Sequence, residues 1–180
     1  MVTIAPVYSA LFPGMTVALT STVTPNAPAP QGGYTWIRDG VVLTTTSAGV
    51  VSGIGTGTLT VNVDGMGTYN LRVTDVNGCT STSNSAIVKD SASGRCFIYP
   101  NPNSGTFQVR YYSVAGNSSL PRGIVVYDAK GDRVFVKNYT IGRPYDRMDV
   151  DMRAYGKGLY WVEIVDRNGN RLTMCRVVIQ

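Results

Sequence analysis

The sequence predicts an all-β fold, laid out as two consecutive β-sandwich domains, and three observations carry that prediction. Apolar residues alternate with polar ones over short stretches, and no window keeps them at i, i+3, i+4 and i+7 for three turns. Twenty Gly, nine Pro and a Thr/Ser-rich first half supply the punctuation between short strands. Charge changes at the middle: residues 1–90 hold three Lys/Arg and four Asp, whereas residues 91–180 hold thirteen basic and seven acidic groups. With 43% hydrophobic residues there is apolar material for two cores. The expected division is 1–89, a linker at 90–95, and 96–180.

In the first half, Thr16 to Val23 alternates with Val17, Leu19 and Val23 on one face. Pro25 to Pro30 breaks pairing and reads as a loop. Tyr34 to Arg38 and Val41 to Thr45 flank Asp39-Gly40, a two-residue hairpin signal. Ser47 to Gly57 is Gly-rich and reads as irregular. Thr58 to Val63, Thr68 to Thr74 and Cys79 to Val88 read as strands, the last two joined at Asn77-Gly78 by an expected type I′ turn. Trp36 is placed at the centre of the core, and Tyr69 in Gly67-Thr68-Tyr69-Asn70-Leu71 at a tyrosine corner. This half resembles the immunoglobulin-like and PKD-like repeats of bacterial surface proteins, over residues 4 to 88 or so. Such repeats often carry a cysteine where Phe12 stands before Pro13-Gly14. Cys79 is therefore expected to lack a partner, as a buried or edge thiol.

Lys89 to Gly94 is polar and small, with no strand pattern, and reads as an exposed linker open to proteases. Beyond it, Thr106 to Tyr112 sets Phe107, Val109 and Tyr111 against Gln108 and Arg110. Gly123 to Asp128 and Arg133 to Tyr139 flank Asp128 to Asp132, where Gly131 suits the left-handed position of a bulged turn. Arg147 to Arg153 alternates with Met148, Val150 and Met152 inward, and Gly158 to Asp166 and Arg171 to Ile179 close a hairpin across Asn168-Gly169. The expectation is a second, seven-stranded sandwich. Its first and last strands carry Cys96 and Cys175, which would bridge if those strands are neighbours.

The residue inventory excludes most chemistry. There is no histidine, the commonest general base and metal ligand, and the three cysteines lack CxxC spacing. Asp149 and Asp151 share a strand face between Arg147 and Arg153, an ordinary solvent-facing pattern more than a glycosidase pair. Asp64, Asp75 and Asp166 precede turns, and no loop repeats Asp/Asn as a calcium loop does. No enzyme, cofactor or metal is expected. The basic second half alternates its charges with apolar residues, so nucleic acid is not an expected partner. No apolar run is long enough to span a membrane, and the start carries no signal-peptide pattern. Met1 opens directly into a strand, as expected of a fragment of a longer protein.

Three short motifs remain: Tyr99-Pro100-Asn101-Pro102-Asn103, followed by Gly105; Gly158-Leu159-Tyr160; and Arg176-Val177-Val178-Ile179-Gln180. The two prolines force extended backbone that cannot donate to a ladder, and Asn101 between them can cap its own turn. The last strand is expected to offer an edge for β-augmentation. With Gly105-Thr106-Phe107, Asp128 to Gly131 and Asn168-Gly169 in order between them, these motifs resemble the type A C-terminal sorting domain of the type IX secretion system of Bacteroidetes. Arg176 stands where that family often has Lys, and Cys96 and Cys175 fall outside its pattern.

The resemblance implies a secretion signal that takes a larger cargo through the periplasm and outer membrane to the cell surface or medium. The outer-membrane translocon would recognise Tyr99 to Asn103, Gly105, Gly158, Tyr160 and Arg176 to Gln180. A surface sortase would cut among Ser91, Ala92, Ser93 and Gly94, often joining the cargo to anionic lipopolysaccharide. The first half would be a spacer or adhesive module. The rival expectations are a carbohydrate-binding or adhesin module, and an accessory domain on an enzyme core.

Overall fold

The computed structural model describes residues 1–24, 33–112 and 121–180. The chain is all-β and divides into two compact units, Met1–Ser91 and Ala92–Gln180.

The first unit contains β1 (Val2–Ala5), β2 (Tyr8–Leu11), β3 (Thr16–Val23), β4 (Tyr34–Arg38), β5 (Val41–Val42), β6 (Val50–Ser52) and β7 (Thr58–Asn62). A 3-10 turn at Val63–Gly65 leads to β8 (Gly67–Thr74), β9 (Thr80–Thr82) and β10 (Ala86–Asp90). One sheet runs β1-β3-β7-β6; the other runs β2-β10-β8-β4-β5, with β9 also on β8. Alternation buries Leu19, Leu59 and Val61 from the first sheet against Trp36, Leu71 and Val88 from the second. Trp36 sits opposite Leu71 in register and donates its indole N–H to the Thr56 carbonyl at 2.8 Å. Tyr69 is fully buried, and its hydroxyl donates to the Gly65 carbonyl, the tyrosine corner of immunoglobulin-like sandwiches.

Several details depart from the sequence reading. The Gly-rich stretch 47–57 holds a short strand, β6, on β7. Cys79 to Val88 is two strands, because Ser83 leaves the ladder to bond Leu71 with both its backbone N–H (2.8 Å) and its hydroxyl (2.9 Å). Asn77-Gly78 is not a type I′ turn. Only Gly78 has positive φ (82°), and Asp75 Oδ1 accepts from Asn77 N at 2.8 Å and Cys79 N at 2.9 Å, which fixes a five-residue bulged turn. Asp39-Gly40 does take positive φ at both positions. Cys79 is exposed and free. Pro25 to Pro30 lies outside the described residues.

The second unit contains β11 (Cys96–Tyr99), β12 (Thr106–Tyr111), β13 (Pro121–Tyr127), β14 (Arg133–Asn138), β15 (Met148–Asp151), β16 (Gly158–Asp166) and β17 (Arg171–Ile179). They form a three-stranded sheet, β11-β12-β15, and a four-stranded sheet, β14-β13-β16-β17, every pairing antiparallel. Phe107, Met148 and Val150 of the smaller sheet meet Ile124, Val162 and Val177 of the larger in one core. A disulfide joins Cys96 on β11 to Cys175 on β17, with Cα atoms 6.2 Å apart. Arg110, on the face opposite Phe107 and Val109, is buried: its Nε donates to Gln108 Oε1 at 2.8 Å and its Nη1 to the Tyr145 carbonyl at 3.2 Å. The guanidinium is tolerated there because fixed acceptors replace water.

Candidate recognition site

The three motifs, far apart in sequence, meet on the last strand. On one side of β17, Gly158, Leu159 and Tyr160 of β16 pair with Ile179, Val178 and Val177. On the other side lies the Pro-rich segment. Asn101 Nδ2 donates to the Arg176 carbonyl at 3.1 Å, and Val178 N donates to Asn101 Oδ1 at 3.0 Å. Asn103 N donates to the Val178 carbonyl at 3.0 Å, and Gln180 N donates to the Asn103 carbonyl at 2.8 Å.

This arrangement follows from the prolines. Pro100 and Pro102 have no N–H, so the segment cannot form a continuous ladder, and the Asn101 amide supplies the donor and acceptor instead. Asn101 therefore does not cap its own turn. Asn103 does that, its Oδ1 accepting from Gly105 N at 2.7 Å and its Nδ2 donating to the Pro100 carbonyl at 3.2 Å. The terminal edge is accordingly filled from Arg176 to Gln180, against the expectation of an open edge there. Gly105 has φ +100°, and a Cβ on it would lie 2.9 Å from the Arg153 Cα, so no side chain fits where the chain turns into β12.

Exposure sorts the motif residues by what a partner can touch. Asn103, Gly105, Tyr160, Val177 and Ile179 are buried. Pro100, Asn101, Pro102, Gly158, Arg176 and Gln180 are exposed, while Tyr99 and Val178 are half-buried. Burial raises the Tyr99 pKa and Arg110 partly opposes it, so the phenol is neutral at physiological pH. Tyr160 donates to the Gly156 carbonyl at 2.6 Å. Gly156-Lys157-Gly158-Leu159-Tyr160 thus repeats the corner that Gly65-Met66-Gly67-Thr68-Tyr69 builds in the first unit. In both, an Asp-x-Asn-Gly turn follows, and Asp166 Oδ1 accepts from Asn168 N and Asn170 N at 2.8 Å as Asp75 does in its own turn. The repeat is readable in the sequence as Gly-x-Gly-x-Tyr followed by Asp-x-Asn-Gly in each half. It assigns Gly158 and Tyr160 a part in the fold that the resemblance alone does not reveal.

Ser91, Ala92, Ser93 and Gly94 lie between β10 and β11. Ala92 and Gly94 are exposed, Ser91 N donates to the Leu11 carbonyl at 2.7 Å, and Arg95 N donates to Ser93 Oγ at 3.2 Å.

The carboxylates form no acid–base pair. Arg147 Nε lies 2.6 Å from Asp149 Oδ1 and Arg153 Nη2 2.6 Å from Asp151 Oδ2, all four exposed. The hydrogen bonds from Arg153 hold Asp151 down to about 2, so it carries no proton to donate near neutrality. Among the described residues, no group of three or more His, Cys, Asp or Glu could hold a metal ion.

Residues 97–180 match the family described as Secretion system C-terminal sorting domain. The match runs from Phe97 in β11 to the last residue and takes in nothing of the first unit. No curated protein matches the chain. Among solved structures, the extracellular domains 3–5 of Drosophila OTK align with 99% of this chain at 15% identity and a TM-score of 0.42. The chain spans 63% of that structure's length. No helix is long and apolar enough to cross a membrane among the described residues.

Proposed function

We propose, from the sorting-domain match of residues 97–180, that the second unit is the export tag of a larger cargo, read in its folded state at the outer membrane and then cut away by a surface sortase. The observation that carries this reading is the convergence of the three motifs on β17. Tyr99 to Asn103 and Gly158 to Tyr160 flank Arg176 to Gln180, so a partner meets one composite surface that exists only when the unit is folded. The cut is assigned to Ser91 to Gly94, between the last strand of one unit and the first of the next. The first unit is then a spacer or adhesive module of immunoglobulin-like kind, left on the cargo side. A surface location follows, with origin in a bacterium of the Bacteroidetes. Attachment of the cargo to anionic lipopolysaccharide is part of the same proposal.

The test is export. A fluorescent protein carrying a Sec signal at its N-terminus and this whole chain at its C-terminus is expressed in a host with a type IX system, beside the same fusion ending at Gly156. The expected result is surface or medium delivery of the first only. The released fragment should begin within Ser91 to Arg95. Periplasmic retention of both fusions would sink the reading.

A further inference from the structure

The two faces of the second sandwich are unlike each other. On the three-stranded sheet, the outward positions of β15 are Asp149 and Asp151, each beside an arginine. Beside them in register lie Gln108 and the half-buried Tyr99, which stacks on Phe97, so this face is polar at β15 and covers its aromatic residues at β11. On the four-stranded sheet, register puts Tyr127, Trp161 and Arg176 in one outward row, and Val136, Val125, Glu163 and Met174 in the next. Leu159 and Val178 form a third. Val136 is 55% exposed, Trp161 and Met174 are each 41%, and Leu159 is 36%. Trp36, by contrast, is 1% exposed, so outward placement of a tryptophan is not the habit of this chain. Contiguous exposed apolar surface of this kind marks an interaction site, and Trp, Tyr, Met and Arg are the residues interfaces concentrate.

The charge around the patch is predominantly positive. Arg133 and Arg171 act on Tyr127 electrostatically, Arg171 also lines the groove between Tyr127, Trp161 and Met174, and Arg176 sits directly opposite Trp161. The acid on this face is Glu163, and its Oε2 already accepts the Tyr127 hydroxyl at 2.7 Å.

We propose that this face, centred on Trp161 and Arg176, is where the export machinery docks, through a protein surface that offers an apolar patch edged with carboxylates. The proposal rests on the sorting reading above and deepens it. Three facts select this occupant. The face is continuous with the motif strands, since Leu159, Arg176 and Val178 belong to it. Its surplus of guanidinium calls for acidic groups opposite. The terminal edge beside it is closed by Asn101 and Asn103, so the partner meets the face and not the strand edge. Because the three rows come from four strands, the partner distinguishes folded from unfolded tags.

The experiment uses the full fusion with Trp161→Ser, with the double change Arg171→Glu and Arg176→Glu, and with Arg147→Glu on the other sheet as a control. Melting of each purified chain is measured alongside export. None of these changes empties a buried site, and the double charge reversal tests the face even if Trp161→Ser softens the fold. Export should fall about tenfold or more for both face variants at unchanged melting temperature, and stay at the wild-type level for Arg147→Glu. Face variants that melt and export as wild type overturn the docking proposal while the sorting reading stands. Failure of the wild-type fusion to export overturns the sorting reading, and this proposal with it. Retention of the wild-type chain on alginate beads, lost in Trp161→Ser while export is unaffected, assigns the face to acidic glycan and overturns the proposal too.

Discussion

Asn101 holds Val178 as a neighbouring strand would: the side-chain Oδ1 accepts the Val178 N–H at 3.0 Å, and the Nδ2 donates to the Arg176 carbonyl at 3.1 Å. A side chain thus replaces the backbone that two prolines deny to the ladder. Asn101→Ala should cost about 1–2 kcal/mol, the net worth of two such bonds. Amide hydrogen exchange is the direct check: Val178 should lose protection, while Val162 and Ile164 on β16 keep theirs. Asn101→Asp retains the acceptor and loses the donor, so its effect should fall between wild type and Ala.

Tyr69 and Tyr160 close equivalent corners in two units, donating to Gly65 and Gly156. Tyr69→Phe and Tyr160→Phe should each destabilise by about 1 kcal/mol or more, because each strips a hydrogen bond and leaves a carbonyl unpaired. Urea unfolding of the two variants should show the loss in separate units. For Tyr160→Phe, export should fall only as far as the loss of fold explains; a drop at unchanged stability would make the hydroxyl a recognition group.

Gly105→Ala places a methyl group against the Arg153 backbone at a φ of +100°. The expected cost is about 1–3 kcal/mol. Thermal unfolding of the purified chain measures it, and a neutral result would mean that the turn into β12 re-forms without left-handed backbone.

Reduction should separate the cysteines. Cys79 is exposed and free, whereas Cys96 and Cys175 are bonded across 79 residues. Before reduction one thiol per chain should react with a maleimide, and three after reduction and unfolding. Breaking the bridge should cost the second unit about 4 kcal/mol through loop-closure entropy and leave the first unit unchanged. Calorimetry with and without dithiothreitol reads both.

Asp151 offers a pH signature. Hydrogen bonds from Arg153 depress it to about 2. A depressed carboxylate contributes stability above its ordinary range near about 4, and that contribution disappears as pH falls through about 2. Carboxyl NMR should find the Asp151 midpoint near 2 and, in Arg153→Ala, nearer 4. The pair is fully solvated, so the accompanying change in stability should be slight.

Much of the strand order was legible because alternation is a strong signal wherever one face is buried. Met148, Val150 and Met152 all point inward for that reason. What stayed hidden has physical causes. β6 is short and lies among glycines, so it carries too few alternations to be seen. The break at Ser83 comes from a hydroxyl that competes with the ladder, which propensity does not reveal. Arg110 breaks the polar-out rule because the Tyr145 carbonyl, supplied from another part of the chain, receives it together with Gln108 of its own strand. Asn101 invites a local reading because its flanking prolines are local, yet its partners lie at the far end of the sequence. Trp161 reads as one more apolar strand residue; the alternation of β16, which buries Tyr160, Val162 and Ile164, turns it outward.

The bridge between Cys96 and Cys175 also decides how the second unit bears tension. Any pull delivered through residues 91–95 enters at Cys96 and passes covalently to β17, short-circuiting every strand from β12 to β16. Just beyond that anchor, Arg176 to Gln180 are clasped by Asn101 and Asn103. Traction on the tag is therefore borne by a sulfur–sulfur bond rather than by a row of strand pairings. A machine that drags the cargo outward by this handle would stretch the linker before it unravels the fold.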